Sequence, residues 1–353
     1  MEGGGRKSMK NQEVDMYHQG KAHPPVWAAA LLAIAASLLA SSPAARVEGK
    51  KLRVVTTYSS YASIVEYIGR EHVEVSYIVK GNQDPHIVRP KPSLALQLNN
   101  TDLLVDTGLD LEMWVPSLQD MAGNPRIMSG QPGYVSVSTG LSVVEKPTSL
   151  DRSEGDVHVF GNPHIHTSPL NGKVIAENIA IALRRLLPAH GLLFEANLKK
   201  FKEEIDRRVF GEELVKILGS ATLCRLAEKG QLHGFLAGKT YQGRPLLERL
   251  GGWLKQAEPL RGKKMINYHK NWPYFTQLFG LEVVGYVEPK PGIPPSPGHI
   301  ARLIEAMKRE DVKVLFDANY FEQESMQLVA SKTGAVPVIV GLAVGGQEGM
   351  NDF

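Results

Sequence analysis

Three short, rigid segments of this chain place imidazole where the backbone turns. They are Asp84-Pro85-His86, Gly161-Asn162-Pro163-His164-Ile165-His166-Thr167-Ser168-Pro169, and Tyr268-His269-Lys270-Asn271-Trp272-Pro273. A proline in each restricts the local backbone. Neutral imidazole is the commonest side-chain metal ligand, and three imidazoles with an open or carboxylate-filled fourth position form a standard zinc set. No HExxH-type motif is present, so ligands from these segments would be far apart in sequence and would pin separate lobes together. Of eleven histidines, His18 and His23 lie in the N-terminal leader, while His72, His190 and His233 sit in polar or helical settings that need no ligand. His86, His158, His164, His166, His269 and His299 remain as candidates.

The elements that must carry these segments follow from the chain order. Residues 51–57, 73–79 and 102–107 are β-branched runs that read as strands, with helical spacing over 61–69 and 92–98 between them. Strands alternating with helices indicate a mostly parallel α/β sheet, and ligands of such sheets sit in loops beyond the carboxyl ends of the strands. The His86 loop follows the second strand. A strand at 134–138 and a polar loop at 146–155 come next, then a helix opened by Ser168 and Pro169. Pro188 and Gly191 interrupt that helix, and a second one, rich in Lys, Glu and Arg, reads as an exposed bridge to another lobe. The α/β rhythm resumes with strands at 263–267, 281–287, 313–316 and 336–340, and His269 leaves the first of these. No covering helix is visible after the last strand.

Composition narrows the function classes. At 353 residues, two domains are the natural division. A hydrophobic fraction of 43%, a charged fraction of 22% and a net charge of +3 describe a folded chain with no basic block or stripe for nucleic acid. The single cysteine, Cys224, excludes an intrachain disulfide and any Cys-based metal knuckle, and reads as a small buried apolar side chain in a helix. Gly234-Phe235-Leu236-Ala237-Gly238-Lys239-Thr240 imitates a phosphate-binding loop, but it has three residues between its glycines where four are required. Residues 1–49 read as a signal peptide: a basic start, an apolar run over 26–40 and small residues behind it. No cysteine follows that run closely. Export without a lipid anchor to the periplasm is expected.

The order of these motifs resembles the metal-binding proteins of zinc and manganese ABC importers, the cluster A-I solute-binding family. The resemblance rests on Asp84-Pro85-His86 with Pro90-Lys91-Pro92-Ser93 after it, on residues 100–114, on Asn162-Pro163-His164 before a long helix, on Tyr268-His269 with Trp272-Pro273-Tyr274-Phe275, and on Thr333-Gly334-Ala335. It implies two similar α/β lobes with mostly parallel sheets joined by a long bridging helix. The implied division is an N-terminal lobe over 50–170, a helical bridge over 171–209, and a C-terminal lobe over 210–353 with a helical insertion at about 210–252. It also implies metal ligation by His86, His164 and His269, with His166 as a wall residue supporting the site. The family's usual fourth ligand is an Asp after the last strand, where this chain reads Val340-Gly341-Leu342-Ala343-Val344-Gly345-Gly346. Water, or one of Asp317, His158 and Glu288, is the candidate to replace it. Three imidazoles favour Zn2+ over Mn2+, which takes more carboxylate oxygen. The implied partners are a divalent metal ion and an ABC importer permease in the inner membrane, with the chain acting as a monomer and not as an enzyme. The alternative is a zinc-dependent periplasmic hydrolase with an open fourth coordination position, for which Glu288 is the one evident general base.

Overall fold

A computed structural model describes residues 50–147 and 158–353. The leader and most of the polar loop at 146–155 lie outside those residues. In the first lobe, β1 (Leu52–Tyr58), β2 (Val73–Val79), β3 (Leu103–Asp106) and β4 (Tyr134–Ser136) form one sheet in the order β2-β1-β3-β4. All its pairings are parallel, with Thr56 opposite both Tyr77 and Val105. β1 and β3 are buried along nearly their whole length, which is the pattern of parallel strands covered on both faces. The covers are α1 (Ser59–Gly69), α2 (Pro92–Asn99) and α3 (Val115–Ala122) on this lobe, together with the helices that follow it.

Those helices are α4 (Pro169–Leu186) and α5 (Gly191–Phe210), which pack along each other. Ser168 does occupy the N-cap of α4, but its side chain makes no capping bond, and Pro169 at the first position carries the start. Composition suggested that α5 is an exposed helix. The structure corrects this: Phe194, Phe201, Ile205 and Val209 form a buried stripe, and only its outer faces carry the Lys, Glu and Arg residues. Residues 212–256 follow as α6 (Glu212–Leu218), α7 (Ser220–Glu228), α8 (Leu232–Ala237), a hairpin of β5 (Thr240–Tyr241) and β6 (Arg244–Pro245), and α9 (Gly252–Gln256). Their apolar side chains, among them Leu214, Leu223, Leu236 and Leu254, join the core shared by the first lobe and the bridge.

The second lobe has its own core around Ile266, Leu303, Leu315 and Val329. It comprises β7 (Lys264–Asn267), α10 (Pro273–Phe279), β8 (Glu282–Tyr286), α11 (Pro297–Arg309), β9 (Val314–Ala318), α12 (Gln323–Thr333) and β10 (Val336–Val340). The parallel sheet order is β10-β9-β7-β8. Read from its other edge, this is second-first-third-fourth, the order of the first lobe. The two lobes therefore share one topology, and each presents the loops at its strands' carboxyl ends to the other.

Cys224 is not in an apolar pocket. Its Sγ lies 3.2 Å from Lys173 Nζ, which also reaches Asp206 Oδ1 at 2.5 Å and donates to Ser220 Oγ at 2.9 Å. This cluster ties α4, α5 and α7 together, with Asp206 3% exposed. Breaking a buried pair by removing one partner leaves an uncompensated charge, at a cost of about 3–5 kcal/mol. Lys173→Ala should lower the free energy of urea unfolding by that amount. Lys173→Met combined with Asp206→Leu should recover most of it.

Candidate metal centre

The structure brings four of the six candidate histidines into one group. His86, His158, His164 and His269 each offer a ring nitrogen, and these atoms all lie within 4.8 Å of one another. His86 comes from the loop after β2, His164 from the crossing ahead of α4, and His269 from the loop after β7. His158 stands in the segment between β4 and α4. A regular tetrahedron with Zn–N near 2.0–2.1 Å has edges of about 3.3–3.4 Å. The Nε2 atoms of His86 and His158 are 3.2 Å apart.

Each ring is aimed by a partner on its outer side. Asp84 Oδ1 accepts both the backbone N–H of His86, at 2.9 Å, and its Nδ1, at 2.6 Å. Asn162 Oδ1 does the same for His164, at 3.0 Å to each nitrogen. The two tripeptides, Asp-Pro-His and Asn-Pro-His, are thus one local device used twice. Trp114 fixes the first from outside, its indole N–H donating to Pro85 O at 2.8 Å. Glu288 Oε2 holds His269 Nδ1 at 2.5 Å, and its other oxygen accepts from Gly292 N. Asp317 Oδ2 accepts the backbone N–H groups of Tyr268 and His269. His158 is bonded to the backbone of Asp110, which sits at φ 60° beside Leu109 at φ 57°. Two consecutive non-glycine residues in the left-handed region are strained, and such strain collects at functional sites.

With Nδ1 engaged outside, the Nε2 atoms point inward. Those of His164 and His269 are buried and have no hydrogen-bond partner. A buried nitrogen without a partner is costly unless something else meets its lone pair. Burial, reinforced by the neighbouring imidazoles, pushes His158 down to about 3 and His164 well below its ordinary value. Both are therefore neutral at physiological pH, as metal ligation requires.

Of the three candidates for the fourth position, His158 reaches the cluster. Asp317 and Glu288 act behind His269: both Glu288 oxygens and Asp317 Oδ2 are taken by the donors just described, and Asp317 Oδ1 accepts from the Ala318 N–H at 2.7 Å. That removes the free general base the hydrolase alternative needed. His166 lies outside the four, buried and edge-on to Tyr58 at 4.8 Å between ring centroids, with His164 at 6.4 Å. His299 is remote and bonds Tyr286 O at 2.9 Å. Sequence reasoning missed the supporting roles of Asp84 and Asn162, although the repeated Asp/Asn-Pro-His spacing carried the signal.

Two α/β lobes of one topology, with strand-end loops that meet at four imidazoles, define a two-lobed α/β architecture. The chain belongs to the family described as zinc-uptake complex component A, periplasmic, whose model matches residues 54–209 and 245–353. Members of that family are binding components, not enzymes. The gap in the match falls on the helical segment after α5. The manganese ABC transporter substrate-binding lipoprotein PsaA of Streptococcus anginosus is 29% identical over 181 residues, which is 50% of this chain and 55% of that protein. The match thus spans about half the length of these streptococcal relatives. The high-affinity zinc uptake system protein ZnuA of Bacillus subtilis is 23% identical over 309 residues, 86% of this chain and 82% of that protein. Among solved structures, one of ZnuA aligns with a TM-score of 0.61 at 24% identity, covering 84% of this chain and 93% of that one. The SBP FpvC of P. aeruginosa, in complex with Ni2+, aligns at 0.60 and 19% identity, covering 83% and 88%.

Buried neutral histidines make the metal-free fold sensitive to acid. Burial takes His166 down to about 3, whereas in the unfolded chain it titrates near 6.5. Below about 6.5 the unfolded state binds more protons, so stability falls as pH drops, by up to about 1.4 kcal/mol per unit for each such group. Chemical unfolding of metal-free protein at pH 7 and pH 5 should show this loss. His166→Phe, which keeps the ring packing on Tyr58, should flatten the dependence.

Proposed function

We propose that this protein captures a divalent transition metal between its lobes, zinc by preference, and delivers it in the periplasm to an ABC importer permease in the inner membrane. The observation that carries the reading is the pair of buried, unpartnered Nε2 atoms of His164 and His269 within a group of four converging imidazoles. In this reading His86, His164 and His269 are ligands, His158 completes the set, and His166 walls the site. An all-nitrogen set suits zinc better than manganese, which takes oxygen ligands. In this reading the chain acts as a monomer, and export without a lipid anchor fits the position of its one cysteine, Cys224, in α7.

Metal titration tests this directly. Zinc binding to small structural sites is worth about 10–16 kcal/mol, so removing one of four ligands should weaken it by about 10²–10³-fold. His86→Ala, His164→Ala and His269→Ala should each show that loss in chelator-competition titrations, and manganese should compete poorly in the wild type. If all three variants bind zinc like the wild type, the site assignment fails. Supporting groups behave differently from ligands: Glu288→Gln and Asp84→Asn should retain binding at about 10–100-fold lower affinity.

A further inference from the structure

We propose that the segment after the last strand, residues 341–353, is a clasp between the lobes that positions the loops bearing His86 and His269; the proposal rests on the reading of the site given above. This is where the family resemblance leads one to expect a carboxylate ligand, and the segment makes backbone contacts instead. It crosses between lobes within one peptide unit. Leu342 packs with Trp272 and Ala318 of the second lobe, while Ala343 is 2% exposed in the core of the first.

Beyond the crossing the segment is bonded to both sides. Val344 O accepts from Ser59 Oγ at 2.7 Å, Val344 N donates to Ser60 Oγ at 3.2 Å, and Phe353 N donates to Ser63 Oγ at 3.1 Å. These three serines lie in the first turns of α1. On the other side, Asn319 Nδ2 donates to Gly346 O at 2.8 Å. The backbone passes so close to Gly81 that a Cβ there would lie 2.3 Å from Val344 O and 2.4 Å from Gly346 N. A Cβ on Gly346 would lie 2.6 Å from Gly81 O. Only glycine on both strands of this crossing permits the approach.

The gripped positions adjoin the ligand loops. Gly81 opens the loop that ends at His86. Asn319 stands two residues beyond Asp317, the carboxylate that receives the backbone N–H groups of Tyr268 and His269. The clasp thus sets the span between one ligand from each lobe.

Asn319→Ala deletes the bond across the junction without adding volume, and Gly346→Ala forces the two backbones apart. In metal-free protein, hydrogen exchange of peptides covering 80–88 and 268–272 should rise in both variants. Asn178→Ala loses amide bonds to Val137 O and Thr139 O elsewhere in the fold and should leave those peptides unchanged. In zinc-loaded protein, transfer to a chelator should be about three- to tenfold faster for Asn319→Ala, the range expected for one lost hydrogen bond. Exchange at 80–88 that stays at the wild-type level in both variants, or that Asn178→Ala raises equally, overturns the clasp. The exchange readout needs no metal, so failure of zinc binding in the wild type would count against the site assignment and leave the clasp to be decided separately.

Discussion

Four imidazoles that have committed their outer nitrogens cannot also satisfy their inner ones. This constraint orders the rest of the structure. Asp84, Asn162, Glu288 and the backbone of Asp110 hold the four rings from outside. The inner nitrogens are then left facing one another, with Nε2 of His164 and His269 buried and without a hydrogen-bond partner. A proton on one ring is opposed by its neighbours and by burial, which is why His158 and His164 are pushed down. On the proposed reading, a cation shared by all four would remove the repulsion and offset the desolvation together, which no apolar repacking of the same residues could do. The site is thus poised for an ion by the way its second layer is wired.

That wiring follows from the shared topology of the lobes. The loop after the second strand of lobe one supplies Asp84 and His86, and the loop after the second strand of lobe two, β8, supplies Glu288. The third strands carry a buried acid at or next to their ends, Asp106 closing β3 and Asp317 one residue before the end of β9. In the second lobe this acid receives the backbone N–H groups leading into the His269 loop. In the first lobe, burial raises Asp106 to about 7, and its Oδ2 accepts from Tyr134 OH at 2.7 Å. The equivalent loops are thus furnished differently: the one after β2 carries both an imidazole and the carboxylate that orients it, whereas the one after β8 carries only a carboxylate, for an imidazole that leaves β7.

Much of this was legible in the residues alone. Strand runs such as Leu-Arg-Val-Val-Thr-Thr and the strand-end positions of His86 and His269 follow from periodicity and from the rule that ligands gather at carboxyl ends of parallel strands. His158 was harder, because nothing in its neighbours distinguishes a ligand from a loop histidine until the fold brings it within 3.2 Å of His86. The nature of α5 was hidden because its charged residues outnumber its core residues, while five large apolar side chains suffice to bury one face. The course of residues 341–353 has no local signal at all. Glycines permit it, but the contacts that define it are nearly three hundred residues away in sequence.

The lobes are joined on two sides of the cluster, and this limits how an ion can move. On the bridge side, Asn162 Nδ2 donates to Lys270 O at 2.7 Å and Tyr274 OH donates to Asn162 O at 2.7 Å, so the residue that aims His164 is itself an interlobe tie. On the far side the terminal segment bonds α1 and Asn319. Separating the lobes would break both sets at once, together with the orientation of His164. A loop displacement breaks far less. His164 is 0% and His269 6% exposed, whereas His86 and His158 are only half-buried. On the proposed reading, solvent would reach an ion from the His86–His158 side, where both imidazoles stand on loops, and the two buried imidazoles form the floor of the cluster.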